Sequence, residues 1–170
     1  ILIPCQDEDA AMLTRALMSA ALQTFPHRRV VLLIDEPAAG AAEVRDPATL
    51  RTLTRKLQQS LLGPAGKFSR ALRDYRARQA QGPLDMPMEW RRLTELNLDA
   101  AEGYRCYAQR HPGDDHVDGH FVEHVLERLC NEHLVRAQKW QGYLTDTQAV
   151  PGVENVDREY RRLAALFSVE

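Results

Sequence analysis

Acidic and polar side chains follow two strand-like runs near the N-terminus. Gln6, Asp7 and Glu8 come after the first run, and Asp35 with Glu36 comes directly after the second. Ligands of open α/β sheets bind at the carboxyl ends of the strands, so we expect chemistry at these two tips. From the residues alone, Asp7 and Glu8 are equally well explained as helix caps. Asp35 is also compatible with a carboxylate in a turn.

A row of histidines forms a second set of candidate ligands. His116, His120 and His124 recur every four residues, a spacing at which neighbouring histidines of a helix can chelate one metal ion. At about 100° per residue they fall on a polar arc, opposite an apolar face. That face comprises Val117, Phe121, Val122, Val125, Leu126 and Leu129. We therefore expect exposed imidazoles without a functional zinc or iron site, and we expect His133, on the apolar side, to be a hydrogen-bonded core residue. Cys130 lies outside any compact ligand cluster.

The elements that would position the first set form a βαβ unit. Ile1–Ile3 is predicted to be a short strand, and residues 10–23 carry an apolar stripe at spacings of three and four, as an amphipathic helix does. Pro26 ends this helix. Val30–Ile34 is a continuous run of β-branched and aliphatic residues, which is typical of a strand buried in a parallel sheet.

From Pro47 onward the sequence changes to arginine-rich amphipathic helices. The predicted helical stretches are Leu50 to Leu61, Phe68 to Tyr75, Trp90 to Arg110, Val117 to Gln141 and Val156 to Leu166. Turns are expected at Gly63–Pro64, at Gly82–Pro83 with Pro87, at Pro112–Gly113 and within 142–155. We predict an α/β fold class: a βαβ segment over 1–46, a large, mostly helical insertion over 47–164, and a sheet strand that resumes over 165–170. Strand-like runs at both ends suggest a fragment.

Three segments of residues 1–36 together resemble the opening of the family-two GT-A glycosyltransferases. They are the strand and its tip Ile1-Leu2-Ile3-Pro4-Cys5-Gln6-Asp7-Glu8, the tetrapeptide Gln23-Thr24-Phe25-Pro26, and the run from Val30 to Glu36. The order, the spacing and the tetrapeptide agree with the family's pattern. The resemblance implies the nucleotide-binding start of a Rossmann-like GT-A domain from a bacterial-type enzyme, interrupted by the helical insertion.

The resemblance further implies a transferase that moves a sugar from a nucleotide donor to a glycan acceptor. Asp35 matches the acid that holds the base and ribose, since a carboxylate accepts hydrogen bonds from imide N–H and hydroxyl donors. The whole implied nucleotide-binding set is Pro4, Gln6, Asp7, Glu8, Asp35 and Glu36. A divalent cation, Mg²⁺ or Mn²⁺, is expected in the full-length enzyme, where it would act as a Lewis acid on the leaving diphosphate.

The family's later motifs do not occur in this chain. We find no aspartate-rich metal motif after a strand, no catalytic base and no Gln-x-x-Arg-Trp motif, and Asp114–Asp115 is predicted to cap a helix. The sequence therefore assigns no catalytic residue and no metal ligand. The fragment is expected to be inactive by itself, with only nucleoside recognition retained.

Composition limits the classes of partner. The 170 residues carry 22 basic and 24 acidic side chains, and a net charge of -2 gives no broad electrostatic footprint for nucleic acid. No apolar run reaches the roughly 18 residues of a membrane span. Three cysteines without a C-x-x-C spacing are typical of a reducing compartment. We expect a cytoplasmic chain, held at the cytoplasmic face of the membrane if the full-length enzyme has an anchor.

Two other classes remain as alternatives. A signalling receiver also places acids at strand tips, but its phosphoacceptor follows a third strand, and here only helical patterns follow Asp35. The other alternative is a helical protein-interaction or regulatory module with a small α/β core. Neighbouring opposite charges, as in Arg73–Asp74 and Glu127–Arg128, favour a solvated face for these helices over a docking surface.

Overall fold

The computed structural model describes residues 2–5, 10–22, 30–34, 47–110, 116–146 and 150–167. The chain divides into two compact units. The first, here called the N-terminal unit, comprises Ile1–Gly66 with Ala165–Glu170, and the second, the helical unit, comprises Lys67–Ala164. Residues 47–66, which we predicted to open the helical insertion, thus belong to the N-terminal unit.

The N-terminal unit contains two short parallel strands and a helix between them. Strand β1 (Leu2–Cys5) pairs with β2 (Val31–Ile34), and helix α1 spans Ala10–Ala21. Two leucines of α1 are buried, since the apolar stripe of the helix faces the strands. These leucines are Leu13 and Leu17, and they pack against Ile3, Val30, Leu53 and Leu57.

The predicted α/β fold class is wrong. In the part of the chain that the structure describes, the sheet consists of two four-residue strands, and all other regular elements are helical. A single parallel pair is far smaller than the multi-stranded sheet of a Rossmann-like GT-A domain. The local runs at β1 and β2 predicted these strands, but the larger sheet was inferred from the resemblance and from the strand-like run over 165–170.

The strand expected to resume at the C-terminus is also not observed where the structure can be described. Residues 165–167 form a turn, and Phe167 has φ of 58°, which is a left-handed conformation and not that of a strand. Leu166 and Phe167 are nevertheless buried. Their apolar character therefore reflects burial in a turn, and residues 168–170 lie outside the described residues.

The helical unit is built from the remaining elements. Helix α2 (Pro47–Gln81) begins in the N-terminal unit and ends in the helical unit. The elements that follow it are α3 (Met86–Arg110), α4 (His116–Phe121), a π-helical segment (Val122–Glu127), α5 (Arg128–Gly142) and α6 (Val153–Ala164). The predicted helices over 90–110 and 117–141 are confirmed, the latter with a π-helical interruption. None of the helices among the described residues is both long and apolar enough to cross a membrane.

Helix α2 is continuous through Pro64, so the turn predicted at Gly63–Pro64 is wrong. A proline inside a helix removes one backbone hydrogen bond and crowds the carbonyl four residues earlier. Leu61 and Phe68, in the helix turns on either side of Pro64, are both buried. The boundary between the two units lies just after this proline, at Gly66.

The turn predicted at Gly82–Pro83 is confirmed. Gly82 has φ of 145°, a backbone conformation that residues with a side chain rarely adopt. It directly follows Gln81, the last residue of α2. Asp85 then caps α3, because its Oδ1 accepts a hydrogen bond from the backbone N–H of Met88 at 3.1 Å. Pro87 lies in the first turn of α3, where a missing N–H has no cost, and not in the preceding turn as predicted.

Candidate functional site

Of the predicted nucleotide-binding set, only Pro4 lies among the described residues. Pro4 lies in β1 opposite Leu33, and the strand ends Cys5 and Ile34 are opposite each other, so the two tips are adjacent. The other five residues of the set fall outside the described residues: Gln6, Asp7, Glu8, Asp35 and Glu36. Their roles stay predictions.

The histidine row is exposed where it can be described, as expected. His120 and His124 are exposed, their ring centroids are 4.2 Å apart, and His124 lies 3.9 Å from the carboxylate of Glu123. No group of three or more His, Cys, Asp or Glu side chains able to hold a metal ion is found among the described residues. The side chain of His116 lies outside them.

The most organised polar groups of the helical unit are buried in its interior. One cluster surrounds Glu89 of α3, whose side chain is 1% exposed. Its two oxygens accept hydrogen bonds from Arg78 Nε at 2.8 Å and Arg78 Nη2 at 2.9 Å, from the Tyr160 hydroxyl at 2.8 Å, and from Arg92. The Glu89 cluster thereby connects α2, α3 and α6.

The charge state of the Glu89 cluster follows from these contacts. Burial raises the pKa of Glu89, but hydrogen bonds from Arg78 and Tyr160 and the charges of Arg78 and Arg92 outweigh it and lower the pKa below its ordinary value. Burial also raises the pKa of Tyr160, which donates to this carboxylate. Glu89 is therefore a carboxylate, and Tyr160 is a neutral donor.

A second cluster surrounds Asn97 of α3, which is fully buried. Its Nδ2 donates to Leu93 O at 2.9 Å and to Glu159 Oε1 at 3.1 Å, and its Oδ1 accepts from Arg162 Nη2 at 3.1 Å. His133 Nδ1 lies 2.9 Å from the same Oδ1. Since Asn97 has two donors and one acceptor oxygen with two lone pairs, it is saturated.

Glu159 of α6 supplies the negative charge of the Asn97 cluster. Arg162 binds it in a bidentate manner, with Nε at 3.0 Å and Nη2 at 2.8 Å, and Arg136 of α5 approaches to 3.4 Å. Burial raises the pKa of Glu159, but the hydrogen bond and charge of Arg162, the charge of Arg136 and the hydrogen bond from Asn97 lower it overall. The Asn97 cluster thus joins α3, α5 and α6 around an ionised carboxylate.

His133 is buried and hydrogen-bonded in the Asn97 cluster, as its position on the apolar side predicted, and it is neutral. Burial, followed by the charge of Arg162, lowers its pKa to about 3, and Arg136 acts in the same direction against the opposing charge of Glu159. His133 Nδ1 lies 2.9 Å from the Asn97 oxygen, which can only accept, and 3.4 Å from Arg162 Nη2, which can only donate. The shorter contact favours the proton on Nδ1. Nε2 is then a buried acceptor without a hydrogen-bond partner in the structure.

Next to this interior lies a groove of about 430 Å³ between α3 on one side and the π-helical segment with α5 on the other. We call it the α3–α5 groove. It is lined by Tyr104, Arg105, Ala108, Gln109, Val122, Leu126, Glu127, Cys130, Asn131 and Leu134. The buried members Tyr104, Leu126 and Cys130 form its floor, and exposed polar side chains form its rims. Tyr104 also stacks on His133, with ring centroids 5.6 Å apart.

A neighbouring side of α5 carries a second groove of about 680 Å³, here called the outer face of α5, which shares Glu127 and Asn131 with the α3–α5 groove. Its lining residues are Glu123, His124, Glu127, Arg128, Asn131, Glu132, Val135 and Arg136. Unlike the α3–α5 groove, this face is mostly charged. Val135 is its most exposed apolar side chain, at 63%.

The π-helical segment lies between α4 and α5 and borders both grooves. A π-helix bonds residues five apart, so it is wider than an α-helix, and such segments recur at functional sites. Because its spacing differs from that of an α-helix, it also rotates side chains away from the face that constant α-helical spacing predicts. Of the apolar face predicted at constant helical spacing, Leu126 and Leu129 are buried, whereas Phe121, Val122 and Val125 are only half-buried.

Sequence analysis missed both buried clusters, although a signal for them exists. In α3, Glu89 and Asn97 lie four residues before and four residues after the buried Leu93. Since residues four apart share one side of a helix, both polar residues fall on its apolar stripe. Glu159 has the same relation to Leu163 in α6. A polar residue on the buried stripe of a helix indicates a partnered interior group, since burial without a partner is costly.

Comparison with known proteins yields no match to a family model, to a curated protein or to a solved structure. With the nearly all-helical content of the described residues, this overturns the resemblance to the family-two GT-A glycosyltransferases. The agreement over residues 1–36 consisted of short strand, turn and helix patterns, which unrelated chains can share. Neither the fold nor a family match therefore supports sugar transfer.

Proposed function

We propose that the helical unit is a protein-interaction module that binds an amphipathic helix of a partner protein in the α3–α5 groove. The observation that carries this proposal is the groove itself, with a buried apolar floor between two polar rims. An amphipathic helix binds such a groove by inserting apolar side chains three and four residues apart. Helix-in-groove binding requires no catalytic group.

The shape of the groove favours a helix over a compact small molecule. Its lining residues on the π-helical segment and α5 run from Val122 to Leu134, which corresponds to a length of about 18 Å, or three turns of a bound helix. Its rims differ in charge, with Arg105 on α3 and Glu127 on the other side. A partner helix with an acid on one flank and a base on the other would complement both rims.

The buried clusters support the proposal because they make the groove rigid. Asn97 and His133 connect α3 to α5 directly beneath it, and Tyr104 of the floor stacks on His133. A preformed site loses less conformational entropy on binding than one that must be ordered. The rest of the polar interior is thus a scaffold for the groove.

The experiment is crosslinking from the groove, followed by reconstitution. A photoreactive residue replaces the exposed rim residue Gln109, and the matched control carries it at the exposed residue Arg73 of α2. We expect a crosslink from position 109 to an amphipathic helical segment and none from position 73. A synthetic peptide of that segment should bind the purified 170-residue chain, and Ala108→Trp, which fills the groove, should weaken binding at least about tenfold.

Two results would contradict the proposal. One is a crosslinked segment that is the same from both positions, because binding would then not involve the groove. The other is a peptide that binds Ala108→Trp as tightly as the wild type, while the unfolding midpoint of the variant shows that it is folded. Leu98→Ala, at an exposed position of α3 outside the groove, provides the control for an unspecific loss of apolar surface.

A further inference from the structure

The outer face of α5 has an uneven distribution of charge along its length. Glu123 and Glu127 lie toward its N-terminal end, and Arg136 lies toward its C-terminal end, followed one turn later by the exposed Lys139. Between these ends, Arg128 and Glu132 already neutralise each other at 2.8 Å. The face is therefore acidic at one end, basic at the other and neutral in the middle.

We propose that this face binds a second copy of the same chain in an antiparallel, two-fold arrangement. A two-fold interface uses the same patch on both copies, so the patch must complement itself. Antiparallel pairing places the acidic end of each copy against the basic end of the other. The charge pattern fits such a pairing and opposes a parallel one, in which like charges would meet.

One register pairs the face from Glu127 to Arg136. When Glu127 lies opposite Arg136 of the second copy, Asn131 lies opposite Glu132 and can donate to its carboxylate. Val135 then lies opposite Arg128, whose aliphatic stem can cover it. This removes the largest exposed apolar side chain of the face from water.

Arg136 remains able to serve this contact although it also belongs to the Asn97 cluster. It uses Nη1 toward Glu159 at 3.4 Å, and its side chain is 43% exposed. A guanidinium has five N–H donors in a planar fork, so one group can bind two carboxylates at once. The contact with a second copy therefore does not require the interior cluster to open.

The test is sedimentation equilibrium of the full 170-residue chain with two charge-reversal variants. The first variant, Glu123→Lys with Glu127→Lys, makes both ends basic, and the second, Gln138→Glu with Lys139→Glu, makes both ends acidic. All four positions are exposed, so both variants should fold. We expect a wild-type dimer whose dissociation constant rises between about 0.05 and 0.5 M salt, because screening weakens contacts between exposed charges.

Each variant alone should be monomeric, with a dissociation constant raised at least about tenfold, and an equimolar mixture should restore a heterodimer. A monomeric wild type at low salt would overturn the proposal. So would a wild-type dimer that neither variant disrupts, or a mixture that stays monomeric. Glu127 and Asn131 line both grooves, whereas Ala108 lines only the α3–α5 groove. Ala108→Trp should therefore leave self-association unchanged, and Gln138→Glu with Lys139→Glu should leave peptide binding unchanged, so these two variants distinguish a failure of this proposal from a failure of the docking function.

Discussion

Two ion pairs of the helical unit have the same length and opposite surroundings. Arg162 binds Glu159 at 2.8 Å with side-chain exposures of 16% and 7%, and Arg128 binds Glu132 at 2.8 Å with exposures of 61% and 41%. The distance between charges therefore does not distinguish them. What differs is the loss in the free energy of unfolding when one residue of the pair is removed, since a buried charge without its partner cannot be hydrated.

This difference separates the parts of the unit by role. The buried clusters fix how α2, α3, α5 and α6 pack, because Glu89, Asn97 and Glu159 each bond a residue of another helix. Arg92 and Arg162 add contacts to the carboxylates within their own helices. The exposed pairs are largely within one helix, three or four residues apart, and fix nothing beyond it. The interior thus specifies the scaffold, while the outer charges remain available for a partner.

The largest effect is expected for Glu159→Ala. The substitution leaves Arg162 almost buried without its carboxylate and leaves Asn97 Nδ2 without one acceptor, so we expect a loss of about 4 kcal/mol in the free energy of unfolding. Urea unfolding followed by tryptophan fluorescence measures it, because Trp90 and Trp140 both lie in the helical unit. Glu102→Ala, which breaks an exposed pair with Arg105, is the control and should lose less than about 0.5 kcal/mol. Equal losses in the two variants would remove the distinction between buried and exposed pairs.

A somewhat smaller loss is expected for Glu89→Ala. Its partners Arg78 and Arg92 are 30% and 37% exposed, so water can hydrate part of the charge that is left, and we expect about 3 kcal/mol. The same urea titration applies, with the exposed Glu95→Ala of α3 as the control. A loss as small as that of Glu95→Ala would show that the Glu89 cluster does not hold α2 and α6 against α3.

The third prediction concerns pH and the neutral His133. Its pKa is about 3 in the folded state, below the ordinary value of 6.5. Between these two pH values the unfolded chain binds a proton on His133 that the folded chain does not bind. The contribution of the neutral His133 to the free energy of unfolding is therefore largest above pH 6.5 and decreases as the pH falls. Between pH 7 and pH 5 the loss is about 2 kcal/mol. Glu89 and Glu159 have lowered pKa values in the folded state, so their contribution to stability is lost as the pH falls through the ordinary value of 4.5, below this window.

Urea titrations across that window measure the effect, and His133→Asn is the matched variant, since an amide can donate to Asn97 but does not titrate. Its stability should change little from pH 7 to pH 5. If the wild type shows the same flat profile, His133 is not held neutral by its surroundings.

Sequence patterns predicted the helices of this protein better than its interior. The stripes over 90–110 and 117–141 are long and periodic, so their type follows from spacing alone. The exposure of His120 and His124 and the burial of His133 followed from the same count. The partners of the polar residues could not be predicted, because Glu89 and Tyr160 are 71 residues apart and meet only through tertiary packing.

The errors have equally local causes. Gly63–Pro64 is a strong turn signal, but buried side chains on both sides keep α2 helical through it. The apolar run at Leu166–Phe167 has the composition of a strand, and composition alone does not distinguish a strand from a buried turn. The glycosyltransferase resemblance extended a short βαβ pattern to a whole sheet, which only the strand-like run over 165–170 supported elsewhere in the sequence.

The smallest effect is expected for the exposed pair itself. A double-mutant cycle of Arg128→Ala and Glu132→Ala should give a coupling energy of only about 0.3–0.5 kcal/mol, because both groups are hydrated when apart and the pair lies within one helix. The coupling should decrease further at high salt. The cycle is measured on the monomer, at a protein concentration below that of any self-association. A coupling above about 1 kcal/mol would mean that the outer face of α5 is held as rigidly as the interior, since only a desolvated or tightly ordered pair reaches that value.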